Sequence, residues 1–333
     1  MLKLTILLTI YFSTIAARAD YSLLSEIPIS TEGAWDYLST DTTSHKLFVS
    51  HSSSVVVIDL KTDKILGEIK DTQGVHGVAV APELNRAFTS NGKENKVSVV
   101  DLKTLATIKK VDVGQGPDAI VYDSGEQEVY AFNGKSQSVS VIKASSGAVV
   151  ATIPLNGKPE SAAVDAKAGK IYLNIEDKNS ITVIDTKSHR VTANWAMAPG
   201  EECAGMAIDL AHHHLIVGCH NKLMLLVDSS NGKVLDQINI GAGVDANDFD
   251  PSKQLAFSST GEGLVTIARV TDKGKFQLVQ NLSTRPRSRT MALDPMSHRI
   301  FLPSADFAAK KEGERWPQMI PGTLKILVYG EAK

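Results

Sequence analysis

The chain has 333 residues and a nearly balanced charge, with 35 lysines and arginines against 37 aspartates and glutamates. A formal net charge of −2 lacks the basic surplus with which proteins bind a phosphate backbone, so the composition argues against nucleic-acid binding. Hydrophobic residues make up 43% of the sequence, which is enough for a sizeable core, and the two cysteines allow one intrachain disulfide.

The first 19 residues have the features of a cleavable export signal. Lys3 supplies a positive charge, residues 4–15 are mostly apolar, and Ala17-Arg18-Ala19 is a small-x-small cleavage site. The apolar stretch is too short to span a bilayer and no cysteine follows the cleavage site, so we expect neither a transmembrane nor a lipid anchor. The sequence predicts a signal peptide at 1–19, one mature domain at 20–333 with a formal charge of −4, and a periplasmic or secreted protein.

A short apolar run that ends near a charge recurs along the chain with a period of about 42 residues. Two degenerate copies, Ile267 to Arg269 and Ile326 to Val328, bring the number of repeats to seven. A period of this length built from short strands is typical of a β-propeller, in which each repeat is one blade. The clearest copies are Val57 to Asp59, Val99 to Asp101, Val141 to Lys143, Val183 to Asp185 and Leu226 to Asp228.

Four strand-length segments make up each repeat, and blade one illustrates them with Trp35 to Asp41, Lys46 to Ser50, Ser54 to Leu60 and Lys64 to Ile69. The third is almost wholly apolar because neighbouring blades would cover both of its faces. The last repeat lacks a fourth strand, whereas Tyr21 to Ile29 resembles the fourth strands. We therefore predict an all-β, seven-bladed propeller of four-stranded antiparallel blades, closed by the N-terminal strand pairing into the last blade.

One segment departs from the period. Val328 lies 59 positions after Arg269, and the excess over the period lies at 305–322, between the second and third strands of blade seven. In a propeller this connection emerges on the same face as the start of each inner strand. A lid across the central mouth and a surface loop both fit this position.

Several motifs resemble the YncE-like proteins of the YVTN-repeat family, which are exported bacterial seven-bladed propellers. The resemblance extends over essentially the whole mature chain and rests on Gly74 to Ala79, Phe88 to Gly92, Pro117 to Asp123, Gly157 to Glu160 and Met291 to Pro295. The resemblance implies a periplasmic propeller; one branch of the family is associated with single-stranded DNA binding. It implies no residue-level function.

Aligned inner strands place one set of side chains at the same height around the predicted axis. Six of the seven are ionisable, and together they would ring the central mouth as a ligand or cation site. The alternative is that they cap turns and hydrate a water-filled funnel. The set is Asp36, His76, Asp118, Glu160, Ala204, Asp245 and Arg289.

The ends of the second strands form another set on the same face, farther from the axis: His51, Asn91, Asn133, Ile175, Cys219, Thr260 and Ser304. We interpret Asn91-Gly92 and Asn133-Gly134 as turn residues, because both types tolerate left-handed backbone angles. His212-His213-His214 is interpreted as a solvated turn on the opposite face, with opportunistic affinity for nickel or copper.

Arg285, Arg287 and Arg289 form the one local basic cluster and lie near the predicted insertion. They would clamp an anionic group bidentately, or else belong to a solvated loop. Both interpretations stay open.

Cys203 begins the inner strand of blade five, and Cys219 ends its neighbour. Antiparallel pairing about the intervening turn places the two residues opposite each other, so we predict a disulfide. The competing interpretation is a thiolate metal site with His220, Glu201 or Glu202.

Three functions follow from these features. The favoured one is a non-enzymatic periplasmic propeller that binds a small ligand or a partner protein, is monomeric and holds no resident cofactor. The alternative is a metal-assisted hydrolase, such as a lactonase, with a divalent ion at the mouth, His76 as the proton-transferring group and Arg289 at the oxyanion. Single-stranded DNA binding through Trp35, Trp316 and the arginines ranks third, because nearby carboxylates oppose it.

Overall fold

A computed structural model describes residues 20–30, 33–311, 313 and 317–332, and these residues form a seven-bladed β-propeller. Each blade is a four-stranded antiparallel sheet, and the only helical elements among the described residues are two 3-10 turns at Pro82–Leu84 and Glu176–Lys178. The predicted fold is therefore confirmed. The predicted signal peptide at 1–19 lies outside the described residues. No described helix is long and apolar enough to cross a membrane.

The strands are numbered in chain order, and all but the first follow the blades from the axis outwards. They are β1 (Tyr21–Pro28); β2 (Trp35–Asp41), β3 (Lys46–His51), β4 (Ser54–Asp59) and β5 (Ile65–Ile69) of blade one; β6 (Val75–Ala81), β7 (Arg86–Asn91), β8 (Lys96–Asp101) and β9 (Thr107–Asp112) of blade two; β10 (Pro117–Asp123), β11 (Glu128–Asn133), β12 (Ser138–Lys143) and β13 (Ala148–Pro154) of blade three; β14 (Pro159–Asp165), β15 (Lys170–Ile175), β16 (Ser180–Asp185) and β17 (Arg190–Ala196) of blade four; β18 (Cys203–Asp209), β19 (His214–Cys219), β20 (Leu223–Asp228) and β21 (Val234–Asn239) of blade five; β22 (Val244–Asp250), β23 (Leu255–Thr260), β24 (Leu264–Thr271) and β25 (Lys275–Ser283) of blade six; and β26 (Ala292–Asp294), β27 (Arg299–Ser304) and β28 (Lys325–Glu331) of blade seven.

The N-terminal strand closes the ring as predicted. Strand β1 pairs antiparallel with β28 from Tyr21↔Glu331 to Pro28↔Lys325 and so becomes the outer strand of blade seven. It also contacts blade six, because the Gln280 side chain accepts from the backbone N–H of Tyr21 and donates to its carbonyl, each at 2.9 Å. The first strand of the described chain therefore pairs with the last strand in blade seven and also contacts blade six.

The hydrophobic core lies between the blades. Among the described residues it consists of seven clusters, each shared by two neighbouring blades. The third strands explain this arrangement, since both faces of a strand such as β4 are covered by apolar neighbours. Stacked blades provide a rigid wall for side chains that project towards the axis.

The charge that ends each repeated apolar run has a local structural role. The Asp59 carboxylate accepts hydrogen bonds from the backbone N–H groups of Lys61 and Thr62, at 2.9 and 2.7 Å. Asp101 caps its turn in the same way through Lys103 and Thr104. Asp185 and Asp228 do the same, so in these four blades the charge of the repeat marker is turn chemistry at the outer hairpin.

Blade seven differs from the others on its inner side. Its inner strand β26 has only three residues, whereas six blades have seven-residue inner strands. The chain before it contains Pro286, which has no backbone N–H, and Arg287, which lies in the left-handed region at φ 73°. Both residues lie in the turn that leads into this short strand.

The Asn-Gly pairs stand at turns, since Gly92 and Gly134 are the first turn residues after β7 and β11, but the left-handed backbone angles expected of them are absent. Neither Asn91 nor Asn133 has a positive φ; Asn95 and Gln137 occupy the left-handed positions at φ 55° and 47°. The Asn91 amide is instead buried and donates to Ser98 Oγ at 2.8 Å. The asparagines tie the second strand to the third.

Candidate functional site

The aligned ionisable residues occupy equivalent places in the fold. Asp36, His76, Asp118, Glu160 and Asp245 are each the second residue of an inner strand, and Arg289 lies shortly before β26. The blade-five position is Ala204. The structure therefore places the whole predicted set at the start of the inner strands, around one mouth of the propeller.

Three of these side chains meet across blades one, two and three. His76 Nδ1 lies 2.5 Å from Asp36 Oδ2 and 3.5 Å from Asp118 Oδ1. One ligand atom from each residue falls within 4.8 Å of the others. The imidazole thus sits between two carboxylates, an arrangement that fits either a shared proton or a metal ion.

The electrostatics of this group follow from its burial and its neighbours. Burial lowers the pKa of His76, but the hydrogen bond to Asp36 and the charges of Asp118 and Glu160 outweigh it and raise that pKa to about 8. Burial is the main cause that raises the pKa of Asp118 to about 7. The charges of Glu160 and Asp36 add to this rise, and the charge of His76 opposes it. Burial is therefore the main reason that Asp118 holds its proton more tightly than an exposed carboxyl group.

The opposite side of the mouth carries one ion pair. Arg289 Nε lies 2.8 Å from Asp245 Oδ2, joining blades six and seven. Burial raises the pKa of Asp245 to about 7 even though Arg289 lowers it, and Asp36, Glu160 and Asp118 contribute to the rise. The carboxylates therefore influence one another across the whole mouth.

Glu160 is linked to a residue that the sequence analysis did not identify. The Tyr37 hydroxyl of blade one donates to Glu160 Oε1 of blade four at 3.0 Å, so the Tyr37 side chain spans the axis. Burial and the charges of Glu160 and Asp118 raise the pKa of Tyr37 well above its usual value. Lys158 Nζ lies 3.1 Å from the other oxygen of Glu160. The mouth is therefore a cup with Tyr37 at its floor.

Gly92 supports the His76 ring from behind. A Cβ atom added to Gly92 would lie 2.6 Å from His76 Nε2 and 2.8 Å from Cδ2. Because contacts under 3.0 Å are not tolerated, the glycine leaves the space that the imidazole occupies. It is a positioning residue for His76.

A cavity of about 190 Å³ continues along the axis and is lined by Tyr37, Met206, Asp245, Asp248 and Met291 among others. The Asp248 carboxylate accepts from the backbone N–H of Leu293 at 2.8 Å. Burial raises the pKa of Asp248 to about 7, and backbone hydrogen bonds only partly oppose this.

Asp248 should therefore make the stability of the propeller depend on pH. Because its pKa is higher in the folded than in the unfolded chain, its contribution is greatest below about pH 4 and is lost as pH rises to about 7. At pH 8, Asp248→Asn should raise the free energy of unfolding by up to about 4 kcal/mol. Denaturant unfolding at pH 5 and pH 8 measures the difference. Equal gains at both pH values, or a gain in the exposed control Asp272→Asn, would contradict it.

The basic cluster is engaged within the fold. Arg285 Nη1 lies 3.0 Å from Asp306 Oδ1, and the Arg287 guanidinium lies 4.8 Å from the centre of the Phe307 ring. With Arg289 paired to Asp245, the three side chains point to three different partners. The structure does not bring them together on one anion; two of them contact the start of the 305–322 insertion.

The base of that insertion forms a short ladder next to the mouth. The Ala308 N–H donates to the Gln318 carbonyl at 2.9 Å, and the Ile320 N–H donates to the Asp306 carbonyl at 2.8 Å. Phe307 also packs against Trp35, whose neighbour Asp36 belongs to the mouth, with ring centres 6.1 Å apart. Trp316 lies outside the described residues, and a lid across the mouth stays a prediction.

The predicted disulfide between Cys203 and Cys219 is confirmed. The two cysteines are direct partners in the β18–β19 pairing and are bonded. The bond consumes both sulfurs, so the competing thiolate metal site with His220, Glu201 or Glu202 is wrong. Glu201 and Glu202 are exposed, and His220 Nε2 instead lies 3.8 Å from Glu176.

The histidine run lies in the opposite turn of the same hairpin, as its place in the sequence indicated. His212 Nδ1 lies 2.7 Å from Asp209 Oδ2, and its ring stacks on that of His214 with centres 6.0 Å apart. Its side chains contact other residues of this hairpin and lie away from the mouth.

Comparison with known proteins supports the fold alone. No family model matches the chain, and a search of curated proteins finds no match. Among solved structures, U3-55K is similar with a TM-score of 0.75 and 9% identity over 93% of this chain and 98% of that one. A chain of the mitotic checkpoint complex gives 0.77 and 11% over 100% and 99%. A chain of Kuenenia stuttgartiensis hydrazine synthase gives 0.67 and 18% over 88% and 95%.

Proposed function

We propose that this protein is an exported, non-enzymatic binding scaffold whose central mouth takes a ligand that carries positive charge. The observation that carries the proposal is the meeting of four carboxylates, Asp36, Asp118, Glu160 and Asp245, on one cup closed below by Tyr37. Propellers commonly serve as binding platforms, and this one has a rigid, concave, acidic centre.

The balance of charge favours a cationic ligand over an anionic one. The cations at the mouth, His76, Lys158 and Arg289, are each in contact with a carboxylate. Two carboxyl groups nevertheless have pKa values raised to about 7, because burial and neighbouring negative charge disfavour their ionisation. A positive group that enters the cup relieves this repulsion.

Export and family membership belong to the same proposal. The signal-like residues 1–19 support export, and the Cys203–Cys219 disulfide fits an oxidising compartment. The YncE-like motifs support a relationship to that family. The comparisons lend no support to the hydrolase alternative. The acidic mouth and the engaged arginines disfavour single-stranded DNA as the ligand.

Titration calorimetry with spermidine tests the proposal, since its amines are cationic and carry no other function. We expect one molecule to bind, and Glu160→Gln or Asp36→Asn to weaken binding at least tenfold, or about 1.4 kcal/mol. Asp272→Asn, which removes the same charge from an exposed turn, should leave the affinity unchanged. Equal weakening by all three variants, or no heat of binding in the wild-type protein, would contradict the proposal.

A further inference from the structure

We propose that Asp36, His76 and Asp118 form a three-ligand site for a divalent transition ion of the zinc type. This inference rests on the proposed cationic mouth and names its ligand class. It uses only one side of the mouth, the part contributed by blades one, two and three. On the other side Arg289 neutralises Asp245, and the described residues there form no such donor set.

The donor types favour a transition ion over calcium or magnesium. One imidazole nitrogen and two carboxylate oxygens suit zinc, whereas calcium and magnesium prefer oxygen donors throughout. Three protein ligands leave a fourth position of a tetrahedral ion open towards the cup. That open position is where a further ligand group could bind the ion.

The distances require one small movement. His76 Nδ1 and Asp118 Oδ1 are 3.5 Å apart, close to the spacing of two atoms that each lie about 2.1 Å from a tetrahedral ion. His76 Nδ1 and Asp36 Oδ2, at 2.5 Å, share a proton and must separate by roughly 0.9 Å. The ion takes the place of that proton, which leaves to solvent as two metal bonds form.

Two further observations show that the group is arranged in advance. Gly92 leaves space for the His76 ring and holds it with Nδ1 towards the carboxylates. The Asp118 side chain is only 25% exposed, yet its carboxylate makes no hydrogen bond with any described residue and has only the 3.5 Å contact with His76. Both Asp118 oxygens remain accessible to the water of the cup, so the carboxylate can bind an ion without breaking a hydrogen bond.

Calorimetry with zinc chloride on metal-stripped, untagged protein tests the site. We expect one tight ion per chain, weakened at least thirtyfold in His76→Gln and at least tenfold in Asp118→Asn. Magnesium and calcium should each bind at least tenfold more weakly than zinc. Circular dichroism melts show whether each variant is folded. Gly92→Ala provides a second test, because it keeps every ligand residue and displaces the His76 ring.

Two control variants distinguish the proposed site from zinc binding at the histidine turn and from a general effect of charge at the mouth. His212→Gln removes an imidazole from the histidine turn and should leave the tight zinc site unchanged. Asp245→Asn removes one charge from the other side of the mouth and should weaken zinc by less than threefold. Tight zinc binding that survives His76→Gln, or disappears in His212→Gln, would overturn the inference. If spermidine binds and zinc does not, only this inference fails; if neither binds, the proposed function fails with it.

Discussion

Removal of residues 20–29 is expected to abolish the cooperative unfolding transition of this propeller and to produce aggregation. The segment buries Tyr21, Ile27 and Ile29, which are 1%, 5% and 1% exposed. Burial of three such side chains contributes roughly 5–8 kcal/mol, comparable with the whole net stability of a domain. Its loss also exposes the edge of β28 to pairing with other molecules.

Thermal melting and size-exclusion chromatography measure this effect on the purified, truncated protein. A synthetic peptide of residues 20–30 added in trans should restore the transition by taking the place of β1 beside β28. Leu23→Ser is the matched control, because this side chain of β1 is 48% exposed and the strand pairing is kept. A truncated protein that melts like the full mature chain would show that the ring does not depend on this strand.

Loss of the Cys203–Cys219 disulfide is the second large expected effect. The bond closes a 16-residue separation between the inner two strands of blade five, and a loop of this size predicts about 3 kcal/mol of stabilisation. Cys203→Ala with Cys219→Ala should therefore lower the melting temperature by roughly 4–5 °C. Both side chains are buried, so alanine is preferred to serine, which would add unpaired hydroxyls.

Reduction of the disulfide in the wild-type protein provides the matched measurement without any substitution. Dithiothreitol should lower the melting temperature of the wild-type protein and leave that of the double variant unchanged. A thiol assay on the unfolded, unreduced protein should find no free thiol. Two free thiols, or a wild-type melt insensitive to reductant, would be incompatible with the disulfide.

The sequence repeat made most of the fold predictable. A 42-residue period specifies where every strand should recur, and the inner strand of blade one is found at the predicted Trp35–Asp41. Ring closure followed from a missing fourth strand at one end and an extra strand at the other. The short β26 was not predictable from the period, because Pro286 and Arg287 act locally.

The mouth was predictable in position and only partly in contacts. Shared register places Asp36, His76 and Asp118 at one height, but it does not say which side chains meet. The contact of Tyr37 with Glu160 crosses the axis and depends on the direction of one long side chain. Gly92 was interpreted only as a turn residue, because its closeness to His76 exists only once β6 and β7 pair within blade two.

The location of a bound cation tests the central claim most directly. Carboxyl labelling with a diazo reagent, which needs no amine nucleophile and so does not react with spermidine, reports the reactivity of Asp36 and Asp118 by peptide mass spectrometry. These side chains are 27% and 25% exposed at the mouth. The account predicts that spermidine protects these two carboxyl groups and leaves Asp112, which is 88% exposed on the outer strand of blade two, unchanged. Protection of Asp112 with Asp36 and Asp118 still reactive would place the cation elsewhere and contradict a binding site at the central mouth.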